Sequence, residues 1–147
     1  MKRLLTILLI MMLISSISTV SYADRAEYKK LNQRIALLYK RGKFVEAIEF
    51  AKKVIKVAEE TFGTDNAYVI SSLNNLALIY FQDGQYENAK LTYEKALIKS
   101  ENLVGKTHPN IIKILEDIKK CCEKMGNDAE VEEINNRLED LRRAVSG

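Results

Sequence analysis

Hydrophobic residues recur every three or four positions along most of the chain after about residue 24, and this is the period of amphipathic α-helices. Short segments rich in Gly, Asn, Asp and Thr interrupt the pattern at intervals of helical length. The pattern predicts six helices, which cover residues 24–41, 44–62, 66–83, 86–104 and 110–125, with a last one after Gly126. The chain is therefore predicted to be all-α.

The helical segments form an internal repeat. Gly42, Gly84 and Gly126 each stand 42 residues after the last. Self-similarity at such a period is the signature of stacked helical hairpins, each too small to bury its apolar face alone. We predict one domain over residues 24–147, made of three repeats at about 24–63, 64–105 and 106–145.

Small and aromatic residues lie where the two helices of the central hairpin must touch. The predicted packing residues are Leu73, Leu76, Ala77 and Tyr80 before the turn at Gly84, Tyr86, Ala89, Tyr93 and Ala96 after it, and Ala47 in the first repeat. Their order resembles the tetratricopeptide signature, with Leu73 at its Trp position, Ala77 at its Gly position and Tyr93 at its Phe position.

The repeat is longer than the ordinary tetratricopeptide repeat of about 34 residues. The run LNNLA at residues 73–77 and the run GKTHP at residues 105–109 resemble the longer repeats of kinesin light chains. The specific part of this resemblance spans residues 64–110. It implies a short right-handed α-solenoid of three stacked helical hairpins.

The first repeat matches the second less closely. The match improves if one residue is missing before Gly42, which places Ala36 on Ala77 and Tyr39 on Tyr80. This register returns a small residue to the close contact between the paired helices, and we predict it for that reason.

The third repeat is degenerate. Lys119 takes the Ala77 place, and Asp128 takes the Tyr86 place. The last helix keeps an apolar stripe and is otherwise densely charged. Since a solenoid needs a polar outer face at its end, this repeat is predicted to be a cap.

The first 23 residues have the pattern of a secretory signal peptide: Lys2 and Arg3, an apolar run over residues 4–14, and small residues around a cut after Ala23. A membrane anchor is the alternative, but the run of about eleven residues is well short of the ~20 needed to span a bilayer. The pattern predicts a protein exported to a periplasm, a cell surface or the medium, with no stable membrane span after cleavage.

The net charge and the residue types present limit the classes of partner and site that the chain can have. The formal net charge of the chain is +3, and it falls to +1 without Lys2 and Arg3, which is too balanced to indicate nucleic acid. No phosphate-binding loop, Ser/His/Asp set or metal-ligand cluster is recognisable, so we predict no enzyme, no cofactor and no metal site. His108 is the single histidine, and a helix cap is favoured over a catalytic base at its position.

Cys121 and Cys122 are the candidate reactive residues. Adjacent Cα atoms are about 3.8 Å apart, which is below the usual range for a disulfide. Cys122 falls in the Tyr80 column, where a small buried side chain is favoured. An alternative is that Cys121 is exposed enough to form a disulfide with another molecule. Metal binding by the two thiols alone is less favoured.

The family resemblance implies a concave groove, lined by the first helix of each hairpin, that receives peptides. It places Asn75 where the family bonds the ligand backbone. The groove residues grouped around it by helical spacing are predicted to be Ser71, Asn74, Leu78 and Gln82 on the third helix, Lys113, Lys120 and Lys124 on the fifth, and Arg34 with Lys30 and Arg41 on the first. Such a groove would suit an acidic or carboxylate-ended peptide.

The leading hypothesis is an exported, non-catalytic adaptor that binds a protein or peptide partner. A self-assembling structural solenoid of the cell envelope, forming homo-oligomers, is the first alternative. A thiol-dependent redox or metal protein is the second, and nucleic-acid binding ranks last.

Overall fold

The computed structural model describes residues 22–146. Their helices, numbered in chain order, are α1 (Tyr22–Lys40), α2 (Phe44–Phe62), α3 (Ala67–Gln82), α4 (Tyr86–Val104), α5 (Pro109–Met125) and α6 (Asp128–Ser146). The described residues contain no strand. The predicted all-α fold of three helical hairpins is confirmed, and the bounds of α2 and α4 are those predicted.

A left-handed glycine closes the turn inside each hairpin. In the central turn the Gly84 amide donates to the Phe81 carbonyl at 3.1 Å, and the Gln85 amide donates to the Tyr80 carbonyl at 2.9 Å. This pair of bonds requires positive φ at Gly84, which has φ +78°. The turns at Gly42 and Gly126 contain the same two bonds.

These turns correct the predicted register of the first repeat. Lys43 bonds back to Leu38 as Gln85 does to Tyr80, so Leu38 and Tyr80 are equivalent at a spacing of 42 residues. The edge-on ring pairs Tyr39–Phe44 and Phe81–Tyr86 have the same spacing.

The prediction of a missing residue before Gly42 is therefore wrong. The hydrogen bonds that end a helix lie at fixed positions before the turn glycine, so they set the register of α1. Buried Ile35 takes the Ala77 place. Ala36, the residue predicted there, is exposed.

The loops between hairpins are also alike. Gly63 and Gly105 end α2 and α4 with φ/ψ of 86°/158° and 87°/159°. The next helix then begins at a side-chain cap: Asn66 accepts from the Tyr68 amide at 3.0 Å, and His108 Nδ1 accepts from the Asn110 amide at 3.2 Å. The interpretation of His108 as a cap is confirmed.

Each helix packs on the next along the chain. The fully buried alanines Ala47, Ala77, Ala89 and Ala96 lie in the interior of this stack, with Leu73, Leu76 and Tyr93 also buried. Tyr80 and Tyr86 are partly exposed. The interior forms two apolar clusters, one mainly between α1, α2 and α3 and one between α4, α5 and α6.

The third hairpin ends the solenoid with a polar surface, as predicted. Lys119, in the Ala77 place, keeps 29% of its side chain exposed and donates from Nζ to Asn135 Oδ1 at 3.3 Å. The α6 helix buries Ile134, Leu138 and Leu141 and is charged elsewhere.

Candidate binding surface

Three clefts open along α1, α3 and α5, and we call this side of the molecule the odd-helix surface. The central cleft lies between α3 and α5, has a volume of about 470 Å³, and includes Tyr93 and Ser100 of α4 in its lining. Two further clefts lie between α1 and α3.

Asn75 lies at the middle of the odd-helix surface and lines all three clefts. Its Nδ2 donates to Asn32 Oδ1 at 3.1 Å, and Asn32 Nδ2 donates to the Tyr28 carbonyl at 2.9 Å. This chain of bonds orients the Asn75 amide. The Asn75 Oδ1 atom accepts no hydrogen bond from the described residues, so it is available to a donor.

The neighbouring amide, Asn74, presents a second acceptor. It lines the central cleft, and within the described part of the chain its Oδ1 atom is buried without a hydrogen-bond partner. An unpaired buried acceptor costs about 1–3 kcal/mol. Because this oxygen is buried, a donor would recover that cost only if the Asn74 side chain turned toward the cleft.

The charge of the central cleft is more balanced than its lysines alone suggest. Asp117, with 20% of its side chain exposed, lies between Lys113 Nζ at 3.5 Å and Lys120 Nζ at 2.8 Å. The hydrogen bond to Asp117 raises the pKa of Lys120, so this lysine stays charged. Within the cleft, the lysines predicted on the fifth helix are thus part of an ion-paired cluster, Lys113, Asp117 and Lys120, with one positive charge in excess.

Tyr93 contributes an apolar part of the lining. Burial, and secondarily the charge of Asp117, raises the pKa of its hydroxyl. The hydroxyl is therefore neutral, and Tyr93 adds an uncharged side chain to the lining.

The other predicted groove residues are spread more widely. Ser71 lines a cleft between α1 and α3, and Leu78, 41% exposed, lines the central cleft and one of its neighbours. Gln82 and Lys124 are exposed near the ends of α3 and α5, beyond the lining of these clefts.

Arg34, which was predicted to belong to the groove, lies away from the clefts of the odd-helix surface. Its guanidinium carbon lies 5.5 Å from the centre of the Phe50 ring, at the outer end of the stack. Lys30 and Arg41 line the same outer surface. The physical reason is the register, because a one-residue slip turns every side chain of a helix by about 100°.

The charged and amide side chains of α1 that do line the clefts are Arg25, Lys29 and Asn32. The sequence reasoning missed them, although the 42-residue period places Lys29 on Ser71 and Asn32 on Asn74. Following the glycine spacing without the slip would have found both.

Both thiols are fully buried, which argues against the alternative that Cys121 is exposed enough to pair with another molecule. They are free cysteines in the interior of α5. Burial raises the pKa of Cys121 to about 12 and that of Cys122 to about 11. Within residues 22–146, no three His, Cys, Asp or Glu side chains cluster as metal ligands would.

Comparison with known families identifies the repeat. The model of the tetratricopeptide repeat matches residues 28–97 and again residues 72–144. The chain belongs to the tetratricopeptide repeat family.

Curated relatives of this tetratricopeptide chain are much longer proteins. A clustered mitochondria protein homolog of Ajellomyces capsulatus is 33% identical over 87 residues, which is 58% of this chain and 7% of the relative. The homolog of Eremothecium gossypii is 25% identical over 102 residues, covering 69% of this chain and 8% of the relative. The chain thus spans under a tenth of the length of these relatives.

Solved structures support the fold. BtubC (BKLC) from P. vanneervenii superposes with a TM-score of 0.73 at 21% identity, over 82% of this chain and 48% of that one. A Podosopora anserina protein with kinesin light chain nearly identical TPR-like repeats gives 0.67 at 16% identity, over 80% and 56%. The predicted likeness of the fold to kinesin light chain TPR-like repeats is confirmed.

These comparisons correct the predicted localisation. The prediction of a periplasmic, cell-surface or secreted protein is wrong, because the relatives are fungal proteins whose name ties them to mitochondria. The signal peptide predicted over residues 1–23 lies outside the described residues except for Tyr22 and Ala23, which belong to α1. None of the described helices is long and apolar enough to cross a membrane.

Proposed function

We propose that this protein is a non-catalytic interaction module that holds an extended segment of a partner protein along its odd-helix surface. Membership in the tetratricopeptide repeat family supports a protein-binding role. The observation that carries the proposal is the position of Asn75, which lines every cleft of this surface and has an unused acceptor.

The backbone of an extended segment would supply the missing donors. Successive amide groups of such a chain point to alternate sides, so some of them can donate to Asn75 Oδ1 while side chains enter the clefts. A donor that reaches Asn74 Oδ1 satisfies the unpaired acceptor there. A volume of about 470 Å³ in the central cleft is within the usual range for a ligand site.

The charges of the surface favour a carboxylate in the partner. Arg25 and Lys29 line the cleft between α1 and α3, and Lys113 and Lys120 line the central cleft. Asp117 holds the last two lysines in place without cancelling them. We therefore propose an acidic or carboxylate-ended segment.

The side chains best suited to catalysis or redox chemistry, those of His108 and the two cysteines, have structural roles in the fold. His108 caps α5 through Nδ1. Cys121 and Cys122 are buried, with pKa values of about 12 and 11, so they are protonated at neutral pH. This supports a binding role over a catalytic or redox role.

Site-specific photo-crosslinking tests the proposal. A photoreactive amino acid in place of Leu78, which lines two clefts, should capture the partner in cell extract. The matched control is the same replacement at Leu91 of α4. The two side chains are similarly exposed, at 45% for Leu91 and 41% for Leu78. Capture of the same protein with equal yield from both positions would contradict use of the odd-helix surface.

A further inference from the structure

The outer face of α1 carries a further, larger cleft. It has a volume of about 940 Å³. We call it the N-terminal end face and define it by its lining residues Lys30, Leu31, Arg34, Leu37, Leu38 and Arg41 of α1 and Phe50 of α2. It is separate from the odd-helix surface, and its role does not depend on the function proposed there.

The equivalent faces of the inner repeats are covered by a helix. The α3 helix packs on α2, and the α5 helix packs on α4. Leu73 of α3 and Leu115 of α5 are buried, with 7% and 2% of their surface exposed. Leu31 occupies the same column of the 42-residue period, but the described chain places no helix in front of it.

Leu37 shows what this lack of cover exposes. Its equivalents Ile79 and Cys121 are 2% and 0% exposed, whereas Leu37 is 55% exposed. With Leu31, Leu38 and Phe50 it forms an apolar floor of the kind that marks an interaction site.

Basic residues surround this floor. Lys30, Arg34 and Arg41 face a single acidic lining residue, Glu27. None of the three cations forms an ion pair with a carboxylate of the described residues, whereas Lys90, Lys99 and Arg142 each pair with a carboxylate on another element. Arg34 instead lies over the Phe50 ring.

We propose that the N-terminal end face receives an amphipathic helix of a partner protein, with acidic residues on both sides of the apolar stripe. Such a helix would take the position that α2 has against α3, and its carboxylates would pair with Lys30, Arg34 and Arg41. A second copy of the chain fits less well. The same face would repel itself, and the outer side of α6 is polar and offers no apolar stripe.

The test uses the full chain and two synthetic helical peptides with the same leucine stripe, one flanked by Glu and the other by Lys. Fluorescence anisotropy should show that the Glu peptide binds about tenfold tighter or more, a preference that falls with added salt because exposed charge pairs are screened. Leu37→Asn should abolish the binding, and the Lys30→Glu/Arg34→Glu double variant should reverse the preference. Leu91→Asn, a matched exposed leucine on α4, should change nothing.

Three results would overturn the proposal. Equal binding of both peptides, or binding of neither, would show that this face does not select an acidic helix. A mass that rises with protein concentration, and that Leu37→Asn reduces to the monomer, would assign the face to a second copy. A crosslink within one chain between Lys30 and Lys2 that blocks the Glu peptide would assign it to the chain's own first residues.

Discussion

Ala77 and Ala89 are fully buried in one apolar cluster, on the paired helices α3 and α4. Larger side chains at either position would overpack this hairpin, at a cost of about 1–3 kcal/mol. We expect Ala77→Leu and Ala89→Leu to lower the melting temperature measured by circular dichroism. Ala144→Leu, at an exposed alanine of α6, is the control and should melt like the wild type. Wild-type melting of all three variants would contradict the packing described.

The buried thiols predict a second behaviour at the residue scale. The thiolate is the reactive form, and burial raises the pKa of Cys122 from 9.0 to about 11. At neutral pH this lowers the thiolate fraction about 100-fold, because each pKa unit is a factor of ten. Native protein should therefore react very slowly with iodoacetamide until urea unfolds it. A native Leu91→Cys variant should gain one fast-reacting thiol, and fast modification of Cys121 or Cys122 in the native wild type would contradict their burial.

The same shifts predict how stability depends on pH. The pKa values of both thiols are higher in the folded protein than the ordinary 9.0, so the unfolded state ionises first as pH rises. Their contribution is fully present below pH 9 and is lost between pH 9 and about 11 to 12. Urea unfolding at pH 8 and pH 10.5 should show a smaller loss in Cys121→Ala/Cys122→Ala than in the wild type. An equal loss in both would mean that the thiols do not titrate differently on folding.

At the scale of elements, turn glycines determined how far the fold could be predicted. Positive φ at Gly63, Gly84 and Gly105 follows from the need to end a helix there, so α3 and α4, which lie between these glycines, could be placed to within a residue or two. The rotation of α1 about its own axis could not be predicted. The sequence pattern accepts either Ile35 or a small residue at the close contact between the paired helices. Only the hydrogen bonds of the turn at Gly42 decide it.

The inter-hairpin glycine gives a prediction for these elements. Gly105 has φ/ψ of 87°/159°, a region open essentially to glycine alone, whereas Gly126 has 71°/28°, which other residues reach at lower cost. An added Cβ meets no atom within 4 Å at either position, so any cost comes from the backbone. Gly105→Ala should therefore destabilise by about 1–3 kcal/mol, and Gly126→Ala by about 1 kcal/mol. The opposite order in urea unfolding would contradict the loop geometry.

At the scale of the whole molecule, the three hairpins leave two different surfaces open, along the odd helices and at the outer side of α1. The first could be anticipated in part, since the family resemblance placed Asn75 there and helical spacing added Asn74 and Leu78. The pairing of Asp117 with two lysines also follows from the sequence, because Lys113 and Lys120 lie four and three residues from it on one helix. The end face was hidden from sequence reasoning because its residues look like an ordinary helix stripe.

The proposed binding of an extended acidic segment to the odd-helix surface depends above all on Asn75. The most direct measurement is titration of the partner segment captured at Leu78 against wild type, Asn75→Ala and Lys120→Glu at two salt concentrations. Asn75→Ala should weaken binding by about 1–2 kcal/mol at both concentrations. Lys120→Glu should weaken it more at low salt than at high salt. Unchanged affinity in both variants, with wild-type melting temperatures, would contradict binding through this surface.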